Sequence, residues 1–341
     1  MKVFRRIVIW ALISLTIQFA GLFYIDRYFL SSNTGIKAKK VIRSEPKKSD
    51  IAVSIPDNAK NISPSFDGRY VAYYDGNILD IVDTETGYKK QVKFEDGVKM
   101  SFYKWLPDRN RMLIVEKQNS YDGANFRLEY FEVDKNIKEN IKTLEGFNTN
   151  TEVDDIKESP LTNVIYMRMQ SAGRRTSIYR INIMNEMQKV KTNSYMIGDI
   201  EILSLKDKLI YEDSIYNKIY ITGEDRSIDI EEVENPVLLG VDNSDRVYIG
   251  SLKDDKISEI HYGNAAEDIS SYQNINLGEA ADKNDIHISS SGNIYVNDNL
   301  RGVVKDITSG KEYIYHGKFI QMYNRGIISV SDGKLSKTLV D

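Results

Sequence analysis

A chain of 341 residues with 41% hydrophobic and 28% charged side chains, 22 Tyr and only 6 Pro is globular and suited to pleated surfaces, not to disorder. The absence of cysteine excludes disulfides, thiolate nucleophiles, cysteine zinc sites and a lipoprotein anchor. The net charge of -4 is unevenly placed: residues 1–50 carry ten Lys or Arg against three Asp or Glu, leaving residues 51–341 at about -11, and so acidic a body argues against nucleic acid as a partner.

After Lys2, Arg5 and Arg6 comes an uncharged run from Ile7 to Ile25, closed by Asp26 and Arg27. Nineteen residues at about 1.5 Å each span roughly the 30 Å hydrocarbon core, so one transmembrane helix is expected within residues 1–30. A cleaved signal peptide would need small residues at the -3 position, where Gln18 and Phe19 stand instead. Trp10, Phe23, Tyr24, Tyr28 and Phe29 place aromatics near both ends, as interfacial belts do. The expected arrangement is a single-pass cell-membrane protein with a short cytoplasmic N-terminus and the large domain outside the cytoplasm. Residues 31–50, rich in Ser, Asn, Lys and Glu, read as a basic linker whose charges are attracted to anionic lipid.

From residue 51 onward the chain repeats. Ser63-Pro64-Ser65-Phe66-Asp67-Gly68 leads into the apolar strand Arg69 to Tyr73, and Trp105-Leu106-Pro107-Asp108-Arg109-Asn110 leads into Arg111 to Val115. Pro64 has no amide hydrogen for a ladder and Asp67-Gly68 supplies a tight turn, so one strand ends and another begins. Weaker copies precede Val164-Ile165-Tyr166-Met167, Leu209-Ile210-Tyr211, Arg246-Val247-Tyr248-Ile249, Asn293-Ile294-Tyr295-Val296 and Gly326 to Val330. Seven anchors at a spacing of about 43 residues match four-stranded propeller blades. The expectation is an all-β fold over residues 51–341, a β-propeller with seven blades preferred over six or eight. The last unit ends one strand short after Lys334 to Val340, and the orphan stretch Ile51 to Ile55 is expected to complete it and close the ring.

These residues resemble the TolB-type propeller repeats, also found in the propeller of dipeptidyl-peptidase IV-like proteins, whose signature is Ser-Pro-Asp-Gly followed by a basic residue and an apolar strand. The match is close at Ser63 to Tyr73, good at Trp105 to Ile114 and degenerate in the other five units. The resemblance implies the fold and leaves function open, since propellers host unrelated activities. The hydrolase domain that follows the dipeptidyl-peptidase propeller is not expected here.

No G-x-S-x-G elbow and no Walker loop is present. His261, His287 and His316 stand singly, without metal-ligand spacing, and read as strand or loop histidines. The acid pairs Asp154-Asp155, Glu231-Glu232 and Asp254-Asp255 read as solvated turns, because neighbours on a strand point to opposite faces and cannot share one cleft. Asp80, Asp83 and Glu85 before Gly87, and Asp242 with Asp245, resemble fragments of a calcium loop without its full pattern. No cofactor is expected.

Two connections between second and third strands look longer than the rest: Gln118 to Phe126, with Tyr121, Asp122 and Asn125, and Gln170 to Thr176, with Arg174 and Arg175. An aromatic, an amide and an acid beside two arginines could recognise a carboxylate or a glycan, and these five residues are the candidate binding set. The expected function is a non-catalytic, membrane-anchored binding or scaffold module at the bacterial cell envelope, engaging an envelope protein or polysaccharide. The alternatives are a glycan-acting hydrolase or lyase using the funnel, and a regulatory or sensory subunit whose helix packs on a partner through Ser14, Thr16 and Gln18.

Overall fold

A computed structural model describes residues 2–25, 53–75, 78–231, 233–265, 267 and 269–340. The linker over 31–50, the aromatics Tyr28 and Phe29, Ile51, Asn77 and Glu232 lie outside the described residues. The chain divides into two compact units, Met1–Ser49 and Asp50–Asp341. The first holds a helix, α1 (Lys2–Ile25), with Phe4, Trp10, Ile17, Phe19, Leu22 and Phe23 all exposed. Among the described residues no helix is long and apolar enough to cross a membrane.

The second unit is a seven-bladed β-propeller, each blade a separate antiparallel meander. Blade 1 is β1 (Lys60–Pro64), β2 (Tyr70–Asp75), β3 (Ile78–Asp83) and β4 (Lys89–Val92); blade 2 is β5 (Val98–Trp105), β6 (Arg111–Ser120), β7 (Gly123–Glu132) and β8 (Ile137–Phe147). Blade 3 is β9 (Glu152–Ser159), β10 (Val164–Gln170), β11 (Thr176–Ile181) and β12 (Met187–Lys189). Blade 4 is β13 (Ile197–Ile202), β14 (Leu209–Asp213) and β15 (Lys218–Ile221). Its fourth strand is reduced to a bridge between Tyr220 and Ser227. Blade 5 is β16 (Pro236–Val241), β17 (Arg246–Lys253), β18 (Lys256–Asn264) and β19 (Gln273–Ala281). Blade 6 is β20 (Ile286–Ile288), β21 (Ile294–Asp298), β22 (Val303–Asp306) and β23 (Glu312–Ile314), and blade 7 is β24 (Lys318–Tyr323), β25 (Gly326–Ser331) and β26 (Lys334–Leu339). All seven sequence anchors are the second strands of the seven blades.

Blade 7 is completed from the other end of the unit. Ser54 bridges Lys334, Ile55 N–H donates to Gly333 O at 2.7 Å and Leu335 N–H to Val53 O at 2.9 Å. The fourth strand is therefore Val53–Ile55, as its shortage in the sequence predicts. Val53 and Ile55, 5% and 3% exposed, join Val71, Tyr73, Val82 and Ile328 in the seam between blades 7 and 1.

Strand alternation builds every seam. On β2, Tyr70 and Ala72 pack toward blade 2 while Val71 and Tyr73 pack toward blade 7. On β6, Met112 and Ile114 face blade 1 while Leu113 and Val115 face blade 3. The second strand is thus buried on both sides, which is why it reads as a continuous apolar run.

The turns are equally local. Asp67 Oδ1 accepts from Arg69 N–H at 2.9 Å, and Ser65 Oγ accepts from Tyr70 N–H at 3.0 Å. Gly68 takes a φ of 69°, and an added Cβ would stand 2.7 Å from the Tyr323 ring of blade 7, so both the turn and the closing seam require glycine.

One seam holds a buried acid. Glu158 on β9 shares the blade 2 side of that strand with Ile156, is 9% exposed, and its Oε2 has no hydrogen-bond partner. Burial pushes its carboxyl up to about 7; Asp108 adds to this, and Arg109 and Arg111 oppose it.

Two stability predictions follow from closure and burial. Ile55→Ala should cost roughly 2–4 kcal/mol in urea unfolding, while exposed Ser54→Ala should stay within about 0.5 kcal/mol. Because the folded acid titrates near 7 instead of near 4.5, its contribution is fully present below about 4.5 and is lost as pH rises through about 7. Glu158→Gln should therefore gain on the wild type between pH 5 and pH 8, by on the order of 2 kcal/mol, in paired denaturation curves.

Candidate functional site

The first strands of the blades line the centre, with β1, β5, β9, β13, β16 and β20 in contact in that order and β24 against β1. At the end where these strands turn into their second strands lies a cavity of about 630 Å³. It is walled by β1, β5, β20 and β24 and the turns that follow them.

Its lining mixes rings, hydroxyls and amides. Tyr103 OH donates to Ala72 O at 3.0 Å and Trp105 Nε1 to Ser63 O at 3.0 Å, so those two polar ends are spent on holding blade 2 against blade 1. Ser63 Oγ donates to Gln321 Oε1 at 3.2 Å, and the Ser289 and Ser291 hydroxyls pair at 2.9 Å. Ser290 and Asn324 are exposed at the rim, and their side chains make no hydrogen bond among the described residues. His287 sits beside the Phe319 ring with its Nε2 buried and unbonded. Burial lowers its pKa, so the ring is neutral at neutral pH and offers a hydrogen bond, not a charge.

Further along, the channel turns ionic. Lys104 Nζ lies 2.7 Å from Asp155 Oδ1, joining blades 2 and 3, and Lys157 Nζ lies 2.6 Å from Glu201 Oε1, joining blades 3 and 4. Lys283, in the short 3-10 turn Lys283–Asp285, reaches Asp199 at 2.7 Å and Glu212 at 2.6 Å. Burial is the largest influence on Lys104, Asp155, Lys157 and Lys283. It lowers Lys104, with Lys157 adding to the effect, whereas Lys157 and Lys283 are raised because their carboxylates outweigh it. Asp155 is held below the usual carboxylate range by Lys104 and Lys157 despite burial. A second opening of about 230 Å³ lies among Asp155, Lys157, Glu201 and Lys283.

The expected turn at Asp154-Asp155 is corrected by this geometry. Both residues sit on β9, Asp155 between the two lysines and Asp154 2.9 Å from Arg168 Nε. Lysines 51 residues before and two residues after Asp155 neutralise it, which its immediate neighbours in sequence do not reveal. Asp254-Asp255 is a turn, with φ of 51° and 60° between β17 and β18.

The candidate binding residues occupy two neighbouring connections. Gln118 pairs with Asn125, Asn119 with Ala124 and Ser120 with Gly123, so the expected long loop is an extended hairpin whose turn is Tyr121-Asp122. Tyr121 is fully exposed, and Asn125 Oδ1 accepts from Gly146 N–H at 3.4 Å. Arg174, at φ 59°, and Arg175, 5.6 Å from the Tyr195 ring centre, lie in the connection 171–175. Topology puts both connections at the same end of adjacent blades, yet among the described residues no hydrogen bond, ion pair or ring contact joins them. The cavity, which the sequence did not single out, opens at the opposite end.

The fragments resembling calcium loops serve the backbone. Asp83 Oδ1 accepts from Glu85 and Thr86 N–H at 2.9 and 3.0 Å, and Asp306 does the same for Thr308 and Ser309 in blade 6. Asp242 accepts from Ser244 N–H, Arg246 Nε and Tyr248 OH. Among the described residues no group of three or more His, Asp or Glu could hold a metal ion.

No family model and no curated protein matches the chain. Among solved structures it is similar to a prolyl endopeptidase, with 11% identity and a TM-score of 0.51 over 77% of this chain and 42% of that one. It is also similar to Porphyromonas gingivalis dipeptidyl peptidase 4 (12% identity, TM-score 0.46, 74% and 44% covered) and to TolB from Acinetobacter baumannii (14%, 0.39, 62% and 52%). The chain spans less than half the length of either peptidase. At 11% identity the likeness to the prolyl endopeptidase is one of fold alone.

Proposed function

We propose that this chain is a non-catalytic binding module whose propeller takes its ligand at the mouth of the central cavity, held at the bacterial cell envelope by α1 as a membrane anchor. The observation that carries the reading is the 630 Å³ cavity, a size suited to a ligand and lined by hydroxyls, amides and aromatic rings. Such a lining binds by many neutral hydrogen bonds and ring contacts. Asp155, the carboxylate paired with the lining residue Lys104, is engaged by two lysines, which leaves it a poor general acid or nucleophile.

The anchor reading rests on the uncharged run Ile7 to Ile25 and on apolar side chains exposed around the helix. Thr16, one of the polar residues there, donates to Leu12 O at 2.8 Å and so is satisfied within its own helix. An envelope protein or polysaccharide is the partner proposed, with the propeller outside the cytoplasm.

The test is full-length protein recovered from its native membranes after mild crosslinking, with its companions identified by mass spectrometry. A stoichiometric envelope component should accompany the wild type. The rim substitutions Ser290→Trp with Asn324→Trp should reduce its recovery at least tenfold while thermal unfolding stays within a few degrees. Recovery of the propeller alone, or a partner indifferent to both substitutions, would sink the proposal.

A further inference from the structure

A third pocket, of about 200 Å³, lies in the seam between blades 2 and 3, sharing Leu106 with the central cavity but apart from its rim at Ser290 and Asn324. Its wall holds two buried side chains with an unbonded polar atom and two exposed asparagines. The buried Glu158 has an unbonded Oε2. Arg111 bonds Glu139 through Nη2, but its buried Nε makes no hydrogen bond, with Glu132 standing 3.5 Å from it. Asn163 and Asn185, turn residues with φ of 50° and 58°, make no side-chain hydrogen bond among the described residues. Native folds rarely leave two buried polar atoms unpaired side by side without an occupant.

Charge and size narrow the occupant. The Arg111 guanidinium lies 4.2 Å over the Tyr130 ring, and Arg109 is held by Asp108 at 2.8 Å, so a cation entering the pocket meets two arginines. An anion meets the Glu158 carboxyl and, behind Arg109, Asp108. Both signs already stand in the wall, which favours a neutral ligand. The buried Glu158 oxygen asks for a donor, the Arg111 Nε for an acceptor and the rim amides offer both, a mixture that hydroxyls around a ring can answer. The volume equals about seven waters at roughly 30 Å³ each, below the roughly 300 Å³ where drug-sized sites begin. It has room for one ring.

We propose that this seam pocket is a carbohydrate subsite that takes one neutral sugar ring, with Glu158 and Arg111 bonding its hydroxyls from the floor and Asn163 and Asn185 from the rim. The site stands independently of what the central cavity binds, so either can fail alone.

The experiment is saturation-transfer NMR on the full chain in nanodiscs, with the methyl glycosides of glucose, galactose and N-acetylglucosamine as probes, and acetate, methylammonium and N-methylacetamide as controls. At least one glycoside should show transfer and the three controls none. Glu158→Leu should weaken that signal at least tenfold, and isosteric Glu158→Gln should keep it. Should Glu158→Leu fail to fold, Asn163→Gly with Asn185→Gly removes both rim amides while suiting the positive-φ turns, and should weaken it comparably. Ser290→Trp with Asn324→Trp should leave it unchanged. Transfer to none of the glycosides, transfer to a control, or a glycoside signal that survives the loss of Glu158 or of both rim amides would overturn the proposal.

Discussion

The second strand of each blade is pressed between two neighbours, and the propeller depends on that double burial. Alternate side chains of β2, β6, β10, β14, β17, β21 and β25 enter different seams, so each of these strands belongs to two apolar clusters at once. The apolar clusters of the described residues number seven, one for each seam. No blade owns a core of its own. Stability therefore resides between blades, and a missing partner at any point would leave an apolar face in water, which is why the short pairing of Val53–Ile55 with β26 matters beyond its length.

This constraint is also what made the fold readable. A strand buried on both faces must be apolar at every position, and the hairpin before it must be made of Ser, Pro, Asp and Gly, so Ser63 to Tyr73 announces itself. The closing strand was legible for a different reason: the last unit lacked one strand and Ile51 to Ile55 had no sheet. The extended hairpin of blade 2 was not legible. Gln118 to Ser120 are polar and exposed, yet their backbone groups still pair across the turn with Gly123 to Asn125. The ionic channel was hidden too, because Lys104, Asp155, Lys157 and Glu201 come from three blades and nothing in a local window fixes how first strands align. Glu158 is one glutamate among many until its burial is seen.

Polar groups in the molecule divide by depth. At the turns, Asp67, Asp83, Asp242 and Asp306 replace missing backbone acceptors and fix geometry. In the channel, lysines and carboxylates alternate, so burial is offset pair by pair. Among the described residues, buried polar atoms without a hydrogen bond occur at the His287 ring and at Glu158 and Arg111 in the seam between blades 2 and 3, and also at Asp80, Glu129, Asp245 and Ser329.

Lys283 carries a mechanical consequence. It stands on the connection that leads into blade 6, yet its ammonium is held by Asp199 and Glu212 of blade 4, and Glu212 also accepts the Leu238 amide hydrogen of blade 5 at 2.5 Å. Three successive blades are thereby stapled at one carboxylate. Hinge motion at either of the two enclosed seams must stretch this clasp, so blades 4 to 6 are expected to respond to a load as one stiff arc.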